Sequence, residues 1–230
     1  MFYYYGRKKQ IAKYYPIPNC ATIIEPFAGA AAYSLYGNNW TKRVILIEKD
    51  PRVAEIWRWL IDEATVSDIH QLPDLKVGDH STEFLHIVHA VTKMAFKFKR
   101  IKVTPVLERN WEISRRVFAE NLYKIKHWKI ICGDYSESPD IEATWFIDPP
   151  YKGDSGMGYG YGSNLIDYTK LAVWAKSRKG EVIFCEGENG DYLPFVSLIS
   201  LKGVAGKISQ EKIFYESYVQ KIQPELFYSN

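Results

Sequence analysis

The sequence predicts an α/β fold in which apolar strands alternate with helices. Five short apolar runs have the length and composition of buried strands, at residues 21–24, 44–47, 128–132, 143–147 and 181–185. Helical patterns follow at residues 51–60 and 165–179, and polar residues stand directly after several strands. Open α/β sheets bind their ligands at the carboxyl ends of the strands, so these polar residues are the candidate functional residues.

Composition limits the classes that the chain can belong to. A length of 230 residues allows one core with a subdomain, and it is short for two full domains. The net charge of +3 is too small to indicate a nucleic-acid partner, so only a local cluster of basic residues could indicate one. The start of the chain is basic and tyrosine-rich, and no apolar run has the length of a membrane span, so we expect a cytoplasmic protein with no membrane partner.

Cysteines and histidines give no metal signature. Cys20, Cys132 and Cys185 are far apart and each adjoins a predicted strand, which predicts buried reduced thiols. His86 and His89 share a predicted helix without acidic or cysteine partners. We therefore interpret both histidines as structural and expect no metal.

The first strand leads into a loop of small residues. Before it, Lys8 lies in a basic turn ahead of a short helical pattern at residues 10–15, where a carboxylate-bearing ligand would offset the unfavourable charge. Small residues let the loop turn sharply toward a ligand before a predicted helix that runs to Tyr36 and ends at Gly37. The triple-glycine spacing of a dinucleotide site is missing, which disfavours a pyrophosphate ligand. The loop residues are Glu25, Pro26, Phe27, Ala28, Gly29 and Ala30.

The second strand ends at an acidic residue. Glu48 follows its apolar run directly and is placed to bind ribose hydroxyls, with Lys49 beside it. Asp50 stands ahead of Pro51, so we expect it to cap the next helix instead.

Residues 62–126 interrupt the strand–helix alternation. They predict an inserted helical subdomain, with helices near residues 82–99 and 105–125, between the two parts of a scaffold formed by residues 1–61 and 127–230. A basic stretch with Phe96 and Phe98 between its charges lies inside the insert, and it fits either phosphate binding or a solvated helix face. Arg115 and Arg116 add charge on the second helix. The basic residues of the stretch are Lys93, Lys97, Lys99, Arg100 and Lys102.

The remaining elements complete the scaffold. The third strand is closed by Gly133, Asp134 and Tyr135. Residues 152–164 are so rich in glycine that we expect no regular structure there and interpret the segment as a mobile lid. Two apolar runs at residues 207–214 and 217–222 predict a closing antiparallel pair.

The strand at residues 143–147 delivers Asp148, Pro149, Pro150 and Tyr151 to its carboxyl end. An aromatic exocyclic amine is a poor nucleophile, and acceptors aimed at its N–H bonds would stabilise the positive charge that develops on attack. Asp148 offers a carboxylate, and Pro149 offers a carbonyl held extended by the following proline. Tyr151 can stack on the base. Short motifs carry false positives, and a plain turn with a solvated aspartate is the alternative.

Together these residues resemble the Dam-like family of S-adenosylmethionine-dependent DNA adenine methyltransferases, particularly its small phage-type members. Lys8 resembles the lysine near the methionine part of the cofactor, and the loop from Glu25 resembles the first cofactor motif. Glu48 stands where the family has its ribose-binding acid, and Asp134 and Tyr135 stand along the cofactor's adenine. Asp148 to Tyr151 match the catalytic motif in full.

The resemblance implies a seven-stranded, mostly parallel Rossmann-like sheet whose last strand is antiparallel. It implies methyl transfer to the exocyclic amine of an adenine flipped out of duplex DNA, by a protein that we expect to act as a monomer. The chain departs from the family at Ala31, where glycine is frequent, and in its short insert, which does not match the usual target-recognition domain.

Other functions remain open at this point. The same acceptors would serve the exocyclic amine of cytosine, or adenine in RNA. A nucleic-acid-binding protein that keeps the fold without catalysis is a rival from another class, although the intact Glu48 and Asp148 argue against it.

Overall fold

A computed structural model of the chain describes residues 2, 4, 6, 8–90, 97–202 and 208–217. Within these ranges nine strands and five α-helices can be numbered in chain order. The strands are β1 Thr22–Glu25, β2 Arg43–Glu48, β3 His80–Ser81, β4 Ile101–Lys102, β5 Lys129–Cys132, β6 Ala143–Ile147, β7 Gly180–Glu186, β8 Val196–Lys202 and β9 Ile208–Glu216. The helices are α1 Pro51–Arg58, α2 Val66–Gln71, α3 Phe84–Ala90, α4 Pro105–Asn121 and α5 Tyr168–Lys176.

Seven strands form one sheet in the order β5-β2-β1-β6-β7-β9-β8. The neighbouring strands from β5 to β7 are parallel, whereas β9 runs antiparallel to both β7 and β8. The sheet is therefore mostly parallel, with its last strand reversed. This confirms the predicted α/β class and seven-stranded sheet.

Both faces of the sheet are covered. Ile23 and Ile24 are successive residues of β1 and belong to separate apolar clusters, as expected when side chains alternate across a strand. On one face α1 packs against the sheet, and buried residues of the insert helices α2, α3 and α4 belong to the same apolar cluster, which includes Trp57 and Trp111. On the other face α5 packs through residues such as Leu171. Residues of the insert thus belong to the same apolar cluster as the sheet.

The predicted strands agree with the structure to within one residue at each end up to β7. Helix α1 begins as expected, because Asp50 accepts a hydrogen bond from the backbone N–H of Arg52 and Pro51 occupies the first turn. Past Arg58 the chain continues as a π-helix, Trp59–Glu63.

The helix predicted to run to Tyr36 is wrong, since the chain makes successive turns there. An α-helix would direct the N–H of Ser34 to the carbonyl four residues earlier, but Glu25 Oε1 accepts it at 2.8 Å. Ala31 also adopts φ 46°, in the left-handed region, and this breaks any helical path.

The insert contains more than helices. Helix α3 is described as far as Ala90, residues 91–96 lie outside the described ranges, and residues 98–100 are not helical. β4 instead pairs antiparallel with β3, with Lys102 opposite His80. The helix predicted over residues 82–99 is therefore wrong in its last part, where pairing with β3 and burial of Ile101 take precedence over helix propensity.

The carboxyl-terminal elements differ in two ways. Helix α5 is shorter than predicted and is capped by Asp167, while Gly180 takes φ 98° as the first residue of β7. β9 pairs antiparallel with β7 on one side and with β8 on the other, and both precede Gly203, so the predicted pairing of residues 207–214 with 217–222 is wrong. Residues 218–222 lie outside the described part.

In the described part of the chain, no helix has the length and apolar character needed to cross a bilayer.

Candidate functional site

The carboxyl ends of four parallel strands meet at one edge of the sheet. Glu25 ends β1 and Glu48 ends β2, while Asp134 and Asp148 follow β5 and β6 by one or two residues. The registers align these ends, with Glu25 beside Leu46 and Glu48 beside Cys132. A cavity of about 250 Å³ opens at this edge, which is far more than the ~10–15 Å³ that one water occupies on this scale.

The cavity collects every residue that the sequence assigned to cofactor binding. Those residues are Lys8, Glu25, Pro26, Phe27, Ala28, Gly29, Ala30, Glu48, Lys49, Asp134, Tyr135 and Asp148. Residues from five parts of the chain therefore share one wall, and four of these parts stand where parallel strands end, as expected. Their roles toward a cofactor stay predictions.

The loop after β1 is fixed by side chains that reach it from neighbouring elements. Gly29 has φ 45°, and its N–H donates to Glu48 Oε2 at 2.9 Å. Trp57 of α1 donates from Nε1 to the carbonyl of Gly29 at 2.8 Å. At Ala31, φ 46° is a conformation that glycine adopts without strain and alanine does not. The alanine that departs from the family pattern thus occupies a position that would suit glycine.

Glu48 combines a structural role with a position on the cavity wall. Its Oε1 accepts the backbone N–H of Asp50 at 2.9 Å while Oε2 holds Gly29. Burial raises the pKa of Glu48 to about 7, and these backbone hydrogen bonds limit the rise. Asp50 also lines the cavity, but its carboxylate is bound to Arg52 and caps α1, as predicted.

Two aromatic rings form another part of the wall. The rings of Phe27 and Tyr135 stack with centroids 5.6 Å apart and an interplanar angle of 27°. Tyr135 is held by a short 3₁₀-helix, Tyr135–Glu137, which Asp134 caps, and Lys49 pairs with Asp134 at 2.8 Å. An aromatic wall next to polar groups is suited to a planar heterocycle.

Asp148 is ion-paired in this structure. Lys8 Nζ lies 3.0 Å from Asp148 Oδ1, and the two side chains are only 10% and 18% exposed. Burial raises the pKa of Asp148 to about 6; Lys8 opposes that rise, and the nearby Glu211 adds to it. Burial opposes the charge on Lys8, but Asp148 and Glu211 outweigh it and raise its pKa. Above pH 6, therefore, Asp148 is an ionised acceptor.

The other residues of the Asp148 motif are not equivalent. Pro150 lines the cavity, whereas Pro149 and Tyr151 are not among its lining residues. Lys8 Nζ lies 4.2 Å above the Tyr151 ring centroid, and Gly187 packs so closely that a Cβ there would lie 2.8 Å from the ring. Tyr151 therefore does not line the cavity in this conformation, and the stacking role expected of it stays a prediction.

The glycine-rich segment forms part of the cavity rim. The expectation that it holds no regular structure is wrong, because it contains two 3₁₀-helices, Asp154–Gly158 and Ser163–Leu165. Tyr159 packs so tightly on Gly6 that any side chain there would collide with its hydroxyl. Tyr161 lies with its ring centroid 5.7 Å from Lys49 Nζ. The segment covers the cavity from one side, while its mobility stays a prediction.

The predicted DNA-binding residues lie on the insert. Lys97, Lys99, Arg100 and Lys102 are exposed, but they do not share the helix face that the sequence predicted. Lys93 lies outside the described residues. Arg115 binds Asp74 and the carbonyl of Leu72, so its charge is compensated.

The insert reaches the cavity edge at the start of α3. Arg52, which pairs with the cavity residue Asp50, has its guanidinium carbon 4.2 Å from the ring centroid of Phe84. Phe84 is the first residue of α3. The start of α3 is therefore linked to the cavity wall through Arg52 and Asp50.

The histidines of α3 are structural, as expected. His86 hydrogen-bonds with Ser81 and packs edge-on against Trp111, and burial lowers its pKa to about 4. His89 also packs against Trp111. Among the described residues, no group of three or more His, Cys, Asp or Glu side chains could hold a metal ion.

The three cysteines have free thiols, as predicted. Only Cys185 is buried, whereas Cys132 is exposed and Cys20 is partly exposed. The prediction of burial is therefore confirmed for Cys185 and wrong for Cys20 and for Cys132, whose strand β5 lies at the edge of the sheet.

Sequence reasoning missed several residues of the site. Tyr4 lines the cavity, and Glu211 of β9 contacts the residues around Asp148. The aromatic start of the chain was a visible signal for Tyr4. An acid within the apolar pattern of β9 was the only signal for Glu211, and its partners are up to 196 residues away in sequence.

Comparison of the chain with models of protein families, and with curated proteins, finds no match. The site therefore has to be interpreted from its own chemistry. It combines an ionisable acceptor, a buried acid beside a small-residue loop, and an aromatic wall.

Proposed function

We propose that the protein is an S-adenosylmethionine-dependent methyltransferase that acts on the exocyclic amine of adenine in duplex DNA. The observation that carries this proposal is the position of Asp148. It follows the central strand β6 and shares a cavity wall with the loop after β1 and with Glu48. The strand arrangement, mostly parallel with a reversed last strand, fits the Rossmann-like fold that the family resemblance implies.

The charge of the cavity fits this cofactor. Six acidic residues line it, and its two described lysines, Lys8 and Lys49, are each ion-paired to one of them, so the wall is poorly suited to a phosphate. S-adenosylmethionine carries a sulfonium and an ammonium group and no phosphate. The acidic residues are Glu25, Glu48, Asp50, Asp134, Asp148 and Asp167.

Different parts of the wall suit different parts of that cofactor. Phe27 and Tyr135 would hold the adenine ring by stacking, and Glu48 would accept hydrogen bonds from the ribose hydroxyls. Lys8 is suited to the carboxylate of the amino-acid arm. Gly29 keeps the loop close, since a Cβ there would lie 3.2 Å from the ring of Tyr4.

When bound, S-adenosylmethionine would supply an electrophilic methyl group. Asp148 would accept a hydrogen bond from an N–H of the substrate amine and stabilise the positive charge that develops on the amine nitrogen. The family resemblance assigns a second acceptor to the carbonyl of Pro149. Because Asp148 has a pKa of about 6, it is charged and ready to accept at neutral pH.

A paired adenine hides its amine inside the duplex, so the base has to leave the helix to reach Asp148. The insert is the candidate DNA contact, because the start of α3 is linked to the cavity wall and Lys97, Lys99, Arg100 and Lys102 are exposed. Lysine and arginine side chains of this kind bind phosphates without reading sequence.

Expression in a host without DNA methylation, followed by sequencing with modified-base detection, tests this proposal. We expect methylated adenine in the host DNA, and none when Asp148→Ala is expressed at the same level. Modified cytosine in DNA would show that cytosine is the substrate instead, and modified adenine found only in RNA would show that the substrate is RNA. Cofactor binding with no modified base in either nucleic acid would favour a noncatalytic binding protein.

A further inference from the structure

Glu211 of β9 is joined to the residues around Asp148, although it belongs to none of the motifs. Its side chain is buried, and its Oε1 accepts hydrogen bonds from the hydroxyls of Tyr15 at 2.6 Å and Tyr151 at 2.5 Å. Lys8 Nζ lies 3.7 Å from the same oxygen. One carboxylate oxygen thus accepts two hydroxyl hydrogen bonds and lies near an ammonium group, with partners from two distant parts of the chain, residues 8–15 and Tyr151.

The hydrogen bonds run in one direction toward Glu211. Lys8 donates to the hydroxyl oxygen of Tyr151 at 2.5 Å, and that hydroxyl donates to Glu211. Lys8 also holds Asp148 Oδ1 at 3.0 Å. Glu211 and Tyr151 therefore hold the Lys8 ammonium group from one side. On its other side, the ammonium group holds the carboxylate of Asp148.

Glu211 is not among the residues that line the cavity, whereas Lys8 and Asp148 are. It has no direct path to a ligand and can act only through its neighbours. A buried carboxylate is costly unless its oxygens are hydrogen-bonded or paired, and here the donors are residues of the site itself.

We propose that Glu211 is a positioning residue for methyl transfer, holding Tyr151 and Lys8 so that Lys8 fixes the Asp148 carboxylate at the cavity wall. This inference rests on the proposed function, and it adds a residue that the family motifs do not contain. The role is one of orientation, since Glu211 does not touch the reacting atoms.

The cluster has a consequence for pH dependence. Besides burial, the negative charge of Glu211 raises the pKa of Asp148, whereas Lys8 lowers it. Removing that negative charge should lower the pKa of Asp148 and move the acid limb of the rate profile to lower pH. The charged or titratable groups that face Asp148 are Lys8, Tyr15, Glu25, Tyr151, Cys185 and Glu211.

Glu211→Gln is the first test, because it keeps the shape and an accepting oxygen and removes the charge. We expect kcat to fall by about 10- to 100-fold with KM for DNA little changed, as when a catalytic group is slightly misplaced. We also expect carbon-13 NMR titration of the Asp148 carboxyl, in the ligand-free protein, to give a lower pKa. Glu142→Gln, an exposed residue just before β6, is the matched control and should match the wild type in both measurements.

A wild-type kcat together with an unmoved Asp148 titration in Glu211→Gln would overturn the inference. If that variant does not fold, Glu211→Asp serves instead, since it keeps the charge but withdraws the oxygen from both tyrosines. Its expected signature is a lowered kcat with the acid limb in place, and wild-type turnover would equally overturn the inference. Failure of the wild-type protein to transfer methyl groups would remove the proposed function and this inference together, whereas active wild type with unaffected variants removes only the role of Glu211.

Discussion

Replacement of Glu48 by alanine tests the cofactor assignment at its most specific point. Glu48 is buried on the cavity wall, and both its oxygens hold backbone N–H groups, those of Gly29 and Asp50. Losing a hydrogen bond from a ribose hydroxyl to this carboxylate should cost about 1.5–3 kcal/mol. That range corresponds to a dissociation constant about 10- to 140-fold higher.

The structure adds a second effect to this variant. Without Glu48, the N–H groups of Gly29 and Asp50 lose their acceptors, so the loop after β1 should be less well held. We expect a lower free energy of unfolding, by about 1–3 kcal/mol for each N–H that remains buried and unsatisfied. The loss of affinity therefore has to be measured at a temperature where the variant is fully folded.

Calorimetric titration with S-adenosylmethionine at pH 8 is the suitable assay, because the pKa of Glu48 is about 7 and its carboxyl is then ionised. Glu55→Ala is the matched control, since Glu55 is exposed on α1 and contributes nothing to the cavity lining. Wild-type affinity in the folded Glu48→Ala protein would show that Glu48 does not bind the ribose, and Asp50 would then be the candidate for that contact.

Three further predictions concern catalysis, DNA binding and stability. Asp148→Ala should lower methyl transfer by about 100-fold or more with cofactor affinity nearly intact, and Asp148→Asn should keep part of the activity because its amide oxygen still accepts. Lys97→Ala combined with Arg100→Ala should weaken DNA binding for all sequences and reduce the salt slope by about 0.9 per lost phosphate contact. Burial raises the pKa of Glu25 from 4.5 to about 8, so the folded state holds a proton that the unfolded state releases, and stability should fall as pH rises from about 4.5 to 8. Glu25→Gln should show a smaller decline over that range in urea unfolding.

Each of these has an outcome that contradicts it. Wild-type turnover by Asp148→Ala would remove the proposed chemistry. An unchanged salt slope in the double variant would show that residues 97–102 do not contact DNA phosphates. The basic start of the chain, at Lys9, would then be the next candidate for that contact. Identical pH dependence of stability in the wild type and Glu25→Gln would show that Glu25 is not the group that titrates.

Local patterns were sufficient to predict the strands and the edge at which the site lies. An apolar run such as residues 143–147 is enough to predict a buried strand, and the polar residue that follows it must then lie at the carboxyl end of that strand. Asp148 and Glu48 could therefore be placed at the carboxyl edge of the sheet. The N-terminal cap formed by Asp50 was readable for the same reason, because a cap depends only on its neighbours in sequence.

Contacts between distant segments were beyond such patterns. The turns after Gly29 replace a predicted helix because Glu25 takes the N–H of Ser34, a competition that helix propensity does not describe. The hydrogen bond from Lys8 to the hydroxyl of Tyr151 joins residues 143 positions apart. Glu211 was missed because its function depends on which strand lies beside β7.

The most direct test of the central claim is transfer of a labelled methyl group from S-adenosylmethionine to DNA by the purified protein, with the modified nucleoside identified by mass spectrometry. We expect methyl label on the exocyclic amine of adenine, dependent on Asp148 and increasing as pH rises through about 6. The proposal would be contradicted if a folded protein labelled no base of DNA or RNA and also failed to bind the cofactor.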